Sequence, residues 1–383
     1  MSNKSGGMHT KREIGQQPKV WLDTYDVVKN NRQNINEFLD EVFKEDTDVI
    51  LTGAGSSAFI GGIASGALLC RRDIIARPIP TTDLVTHPEH YLSRKKRTLM
   101  VSFARSGNSP ESIAGIDIAN KYCNEIFHLI ITCNSTGKLY TEFSGENVLR
   151  ILLPKETNDV SLAMTSSFTS MLLAFILIAR IDTIESELVS VEVLARSIER
   201  FIEKTKDDIE KLASLDFKRA VFLGSGPLGA AARESHLKLQ ELTDGKVICK
   251  FDSFLGFRHG PKVVIDDTTL VVYQLSNDAH AQLYELDLVK QINNSNQGLA
   301  QVLIAQTPIL IDGFTPSLQL FFTDKSEKST LDIEYLSIAH VVFAQILGYY
   351  KSIQMGLDPD APSVSGAIAR VVEGVTIYDF KLA

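Results

Sequence analysis

The sequence predicts an α/β protein of two similar units in tandem, each built on a mainly parallel sheet. Three observations carry that expectation. Short apolar runs of strand length alternate with stretches of helical periodicity along the chain. Twice, at Asp48–Leu51 and at Val221–Leu223, such a run feeds a glycine turn and then a helix. The order of elements in the first half returns in the second, with little identity between the halves.

The length of 383 residues predicts two or three domains with ample core. The net charge of −8 comes with no block of like charge, so nucleic acid and anionic membrane are excluded as expected partners. Cys70, Cys123, Cys133 and Cys249 show no paired metal spacing. Their scatter suits a reduced compartment. The N-terminus lacks the apolar core of a signal peptide. The longest apolar run, Met171–Ala179, is too short to span a bilayer and ends at Arg180. A cytoplasmic protein with no metal and no cofactor is expected.

Each element follows from local pattern. Residues 1–16 are polar and are expected to be loose. Trp21 to Phe43 carries helical periodicity through Tyr25, Val28, Ile35, Phe38, Leu39 and Val42. Asp48–Leu51 is a strand that runs into Thr52-Gly53-Ala54-Gly55-Ser56-Ser57 and a small-residue helix up to about Cys70. Exposed amides at such a helix start can bind an anion. A dinucleotide motif is not met, because its third glycine is Ala58. Ile74–Ile79 and Thr98–Phe103 are the next strands. The latter ends in Ala104-Arg105-Ser106-Gly107-Asn108-Ser109-Pro110-Glu111, with Pro110 suited to a first helical turn. Ser106 and Ser109 can donate to phosphate oxygens and Arg105 can pair with them. One such loop alone is an ordinary helix cap; two at the carboxyl edge of one parallel sheet point to a ligand.

Glu125–Thr132 and Val148–Leu153 complete the first set of strands, and Met164–Ile178 is a buried helix. Residues 181–216, charged and helical, bridge the two units. The second unit then runs strand 219–223, helix, strand 246–251, strand 269–275, helix 279–293, strand 301–305, strand 318–322 and helix 332–350. A tail follows, from Asp358-Pro359-Asp360 through Arg370 to a closing segment, Val371–Tyr378.

The densest chemistry lies in residues 221–262. On a helix from Leu228 to about Leu242, Glu234, Lys238 and Glu241 fall within about 60° of one another. Charges on a partly apolar edge are desolvated, which suits acid–base roles. Arg258-His259-Gly260-Pro261 adds a histidine in a loop stiffened by proline. Two acids, a lysine and a histidine form a proton-transfer set. A solvated Glu/Lys ladder beside a loop histidine is the alternative reading of the same residues.

Gly53 to Ser57, Arg105 to Glu111, the Glu234/Lys238/Glu241 helix and Arg258 to Pro261 together resemble the sugar isomerase (SIS) superfamily. The tandem order is similar to the isomerase half of glucosamine-6-phosphate synthase, over roughly residues 40–378. His9 to Pro18 is similar to the AgaS branch of galactosamine-6-phosphate deaminase/isomerases, also called tagatose-6-phosphate ketose/aldose isomerases. The resemblance implies two tandem SIS domains, each a three-layer αβα sandwich with a mainly parallel sheet. The expected divisions are 1–37 for an N-terminal segment and helix start, 38–205 and 206–350 for the SIS domains, and 351–383 for a tail closing over the site. No glutamine amidotransferase domain fits before residue 40, and no catalytic N-terminal cysteine is present, which sets the resemblance against glutamine-fed synthesis.

The resemblance also implies roles. Glu241 matches the base that moves a proton between C1 and C2. Lys238 matches a lysine near the open-chain sugar, and Glu234 a glutamate that orients the catalytic histidine. His259 matches the ring-opening histidine, supplied by the neighbouring subunit of a homodimer or higher oligomer. Ser106, Asn108 and Ser109 match the phosphate loop; Gly55, Ser56 and Ser57 match sugar contacts. A phosphate serine of the synthase is Ala104 here, its glutamine is Arg105, and its tail lysine is Arg370. Arginine is a poor proton shuttle, which moves ring opening onto His259. The implied reaction is deamination and isomerisation of galactosamine 6-phosphate to tagatose 6-phosphate and ammonia. The alternatives are a plain aldose–ketose isomerase, a glucosamine-6-phosphate deaminase, or a non-catalytic sugar-phosphate sensor.

Overall fold

The computed structural model describes residues 6–295, 298–324, 330–372 and 374–381. Residues 1–5 of the expected loose N-terminus and Glu373 of the closing segment lie outside these. The chain forms two compact units. One comprises Lys19–Asp159, Ser166–Val189 and Ile368–Ala383; the other comprises Met1–Pro18, Val160–Thr165 and Ser190–Ala367.

In chain order the helices before the first strand are α1 Met8–Gly15, α2 Gln17–Asn30 and α3 Arg32–Val42. Then come β1 Thr47–Thr52, α4 Ser56–Arg72, β2 Ala76–Pro78, α5 Thr81–Thr86, α6 Pro88–Tyr91, β3 Arg97–Ala104, α7 Pro110–Tyr122, β4 Ile126–Thr132, α8 Lys138–Thr141 and β5 Val148–Leu152. Helices α9 Ser166–Ala179 and α10 Ile184–Ser214 follow. The second series is β6 Arg219–Leu223, α11 Pro227–Leu242, β7 Ile248–Asp252, α12 Phe254–Phe257, β8 Thr269–Gln274, α13 Ala279–Asn294, β9 Ala300–Ala305, β10 Leu318–Phe321 and α14 Ile333–Gln354.

Strands β1–β5 form one sheet in the order β2-β1-β3-β4-β5, and β6–β10 another in the order β10-β9-β8-β6-β7. Read from its β7 edge, the second sheet repeats the first. Every pairing is parallel. Each crossover that contains a helix is long enough to return the chain parallel, and helices then cover both faces. Strand composition follows from that cover: all of β4, Ile-Phe-His-Leu-Ile-Ile-Thr, is buried.

On one face of the first sheet, Ile50, Met100 and Ile130 pack with Ile116 and Ala119 of α7. On the other, Phe103 meets Phe175 of α9 edge to face at 5.7 Å. In the second sheet, Val221, Val271 and Leu303 pack with Phe254 and Phe257 of α12 and with Leu288 and Ile292 of α13. Helices α11 and α14 pack together in the same unit. Each unit is therefore a three-layer αβα sandwich, as expected. Helix α9 is buried along its whole length. Among the described residues, no single helix is long and apolar enough to cross a membrane.

One expectation is corrected. Residues 8–15 are not loose but form α1, with Thr10 and Glu13 buried. The amides of His9 and Thr10 donate to the Asp360 carboxylate at 3.1 and 2.7 Å. Glu13 accepts from the Val160 amide at 2.6 Å. This helix is held by polar partners, which hydrophobic periodicity does not report. The stretch from Trp21 to Phe43 is helical as expected, in the two helices α2 and α3. It breaks at Asn31, whose side chain turns back to donate to the Val27 carbonyl at 2.8 Å.

Candidate active site

Helix α11 starts on Pro227 at its first turn, after Gly226 at φ 56°. Spacings of four and three bring Glu234, Lys238 and Glu241 onto one face. The Lys238 ammonium lies 3.3 Å from the Glu234 carboxylate and also donates to Glu241. Lys238 and Glu234 are fully buried, whereas 15% of the Glu241 side chain is exposed. Burial alone would lower the Lys238 pKa, but the two carboxylates outweigh it and hold it above its ordinary 10.5. Lys238 is thus a permanent cation that pins Glu241 at the opening of the cluster. A carboxylate so placed can accept a carbon-bound proton.

His259 follows α12, which Ser253 caps by accepting from the Gly256 amide at 2.9 Å. The His259 amide donates to the Gly256 carbonyl at 3.0 Å, and Pro261 opens a short 3-10 turn. Its imidazole is exposed. Among the described residues it makes no hydrogen bond or ion pair with Glu234, Lys238 or Glu241. Leu255 and Val263 on the same loop are apolar and 48% and 87% exposed.

The other unit carries the expected binding residues. Sheet order reverses between β1 and β3, and ligands of open parallel sheets bind outside the carboxyl ends at such a point. Gly55 there holds φ 58° and ψ −131°, a conformation that a side chain would strain. Ser56 and Ser57 begin α4 and are buried. After β3, the Ser106 Oγ accepts from the Asn108 amide at 3.2 Å, leaving its O–H to donate. Asn108 Oδ1 accepts from the Lys138 amide at 3.0 Å. Ser109 precedes α7 in extended conformation and makes no side-chain cap bond.

Arg105 donates from Nη2 to the Arg370 carbonyl at 2.6 Å. The Arg370 guanidinium in turn donates to the Asp159 carbonyl and to Asn158 Oδ1, each at 2.7 Å. Arg370 thus fastens the tail beside the Arg105 loop through contacts to protein. The structure brings Gly55, Ser56 and Ser57 to the end of one strand of this sheet and Arg105, Ser106, Asn108 and Ser109 to the end of its neighbour. Glu234, Lys238 and Glu241 form one cluster in the other unit, and His259 stands on its own loop there.

Sequence reasoning missed three supports. Asn134 donates from Nδ2 to the Ser106 carbonyl at 2.8 Å. Gly137 approaches that carbonyl so closely that a Cβ would stand 2.3 Å from it. Asn158 is the other omission, in a loop whose composition carries no signal of its partner more than two hundred residues away.

These two parallel sandwiches, one with a buried Glu/Lys/Glu helix and the other with paired glycine and serine loops at its strand ends, define a tandem sugar isomerase protein. No family model matches the chain. It is 38% identical over 378 residues to an Escherichia coli protein named D-galactosamine-6-phosphate deaminase AgaS, covering 98% of this chain and 97% of that one. A Shewanella sp. (strain ANA-3) protein of the same name is 37% identical over 381 residues, covering 98% and 93%. The crystal structure of tagatose-6-phosphate ketose/aldose isomerase from Escherichia coli superimposes with a TM-score of 0.90 at 36% identity, covering 98% of each chain. The chain belongs to the AgaS family of D-galactosamine-6-phosphate deaminases.

Proposed function

We propose that this enzyme converts D-galactosamine 6-phosphate and water to D-tagatose 6-phosphate and ammonia, a step of amino-sugar catabolism. The observation that carries the reading is Glu241, a carboxylate held by a buried cation at the edge of its cluster. His259 opens the pyranose to the free aldehyde. Glu241 takes the C2 proton, leaving an enol at C1 with nitrogen still on C2, and returns the proton to C1. The product is a C2 imine. Water adds to C2, the C–N bond breaks, ammonia leaves, and the ketose remains. Lys238 keeps Glu241 in place, and Glu234 holds Lys238.

Ammonia and ketose phosphate should therefore appear one for one across a panel of hexosamine 6-phosphates, fastest with the galacto epimer. Ketose formed with its nitrogen retained would overturn deamination. The name of the Escherichia coli crystal structure favours a second reading, ketose–aldose isomerisation, which uses the same C2-to-C1 transfer. Release of ammonia separates the two.

Ser106, Ser109 and neighbouring amides hold the 6-phosphate, with Arg105 paired to it and Gly55–Ser57 against the sugar. Ser106→Ala should remove a charge-assisted hydrogen bond of ~1.5–3 kcal/mol, a loss of roughly ten- to a hundredfold in affinity. Titration calorimetry with the sugar phosphate measures it. Unchanged affinity would reduce the loop to a helix cap. The enzyme works in the cytoplasm as a homodimer or higher homo-oligomer, with His259 of each chain serving the Glu241 of another.

A further inference from the structure

The two sheets repeat each other down to backbone angles. Gly226, after β6, holds φ 56° and ψ −129°, matching Gly55 after β1. After β8, the Ser276 Oγ accepts from the Asp278 amide at 3.0 Å, as Ser106 accepts from Asn108 after β3. Asp278 and Ser109, both extended, precede the helices α13 and α7. The second sheet thus has its own point of reversal, between β6 and β8, with a glycine turn, a serine loop and the start of α11. Seven residues after the cap the halves diverge. The first has Ile116 and the second Glu285, both fully buried.

Glu285 reaches into that second crevice. Its Oε2 accepts from the Ser276 amide at 2.9 Å, and among the described residues its Oε1 makes no hydrogen bond. Burial pushes the Glu285 carboxyl up to about 7, opposed by the Ser276 amide and the Ser225 hydroxyl, with Asp278 adding a smaller upward push. The groups facing its carboxyl, Ser276 after β8 and Ser225 after β6, come from the two loops that correspond to the Ser106 loop and the Gly55 turn of the first sheet. We propose that the Glu285 carboxyl fills the second sheet's copy of the phosphate cradle and closes it to ligand. The duplicated halves then have separate tasks. The first keeps its cradle for sugar phosphate; the second fills its own and supplies Glu241 from the helix that starts there.

The test is the melting temperature of Glu285→Ala, Glu285→Gln and the unaltered protein in formate, and in chloride at equal ionic strength. Glu285→Ala should lose roughly 5 °C and recover most of it, saturably, in formate. Formamide, neutral and of similar shape, should not restore it. Glu285→Gln and the unaltered protein, with the place filled, should gain no more from formate than an anion at the Ser106 loop gives every variant. If Glu285→Ala does not fold in chloride, refolding in formate should yield folded protein where chloride and formamide do not. A gain from formate no larger in Glu285→Ala than in the other two proteins, an equal effect of formamide, or no effect of formate in either format would overturn the proposal. No activity is read, and an anion bound at the Ser106 loop would raise all three alike, so failure of the proposed reaction is distinguishable.

Discussion

Glu241→Gln should abolish exchange of the substrate C2 proton with solvent while sugar phosphate still binds. The amide keeps the shape of the carboxylate and its Oε1 can still accept from Lys238, so the opening of the cluster is preserved. What is lost is the ability to take a proton. General bases contribute roughly a hundred- to ten-thousandfold, and the rate of exchange in deuterated water should fall by that range. Lys238 keeps its partner Glu234, 3.3 Å away, so the buried cation is not left unpaired and the fold should survive. Proton NMR of the sugar reads C2 exchange directly, and titration calorimetry reads binding. Exchange at the unaltered rate would assign the base elsewhere. Loss of binding together with loss of exchange would instead make Glu241 a ligand of the ground-state sugar.

The parts of this site that were legible in the sequence are the ones set by local spacing. Glu234, Lys238 and Glu241 share a face because a helix places residues three and four apart together, and α11 is fixed by its proline start and glycine turn. The anion loops were legible because each follows an apolar strand and precedes a helix. The link from Arg105 through Arg370 to Asn158 was not legible, since it joins a strand end, the tail and a connecting loop by single hydrogen bonds. Helix α1 escaped for a related reason. Its buried face is Thr10, Glu13 and the single apolar Ile14, and what the two polar residues bind lies at residues 160 and 360. Glu285 gave no signal either, because only the matching caps of α7 and α13 show that it stands at the helix position where the first half has Ile116.

Glu241→Gln and His259→Asn should each be inactive alone and should recover about a quarter of normal activity when their subunits are remixed in equal amounts. His259 is exposed and has no hydrogen bond to the α11 cluster of its own chain among the described residues. The loop that carries it also exposes Leu255 and Val263, apolar side chains of the kind a partner surface covers. In a symmetric dimer each site would use Glu241 from one chain and His259 from the other. Random remixing makes about half the dimers mixed. In each mixed dimer one site has both defects and the other has neither, so one site in two works in half the molecules. If both residues came from one chain, every site in the mixture would lack one of them. Subunit exchange is verified by native mass spectrometry of differently tagged variants, and activity by ammonia release. Complete exchange without recovered activity would place His259 and Glu241 in the same chain's site, while leaving the role of Glu241 in proton transfer to stand on the exchange experiment alone.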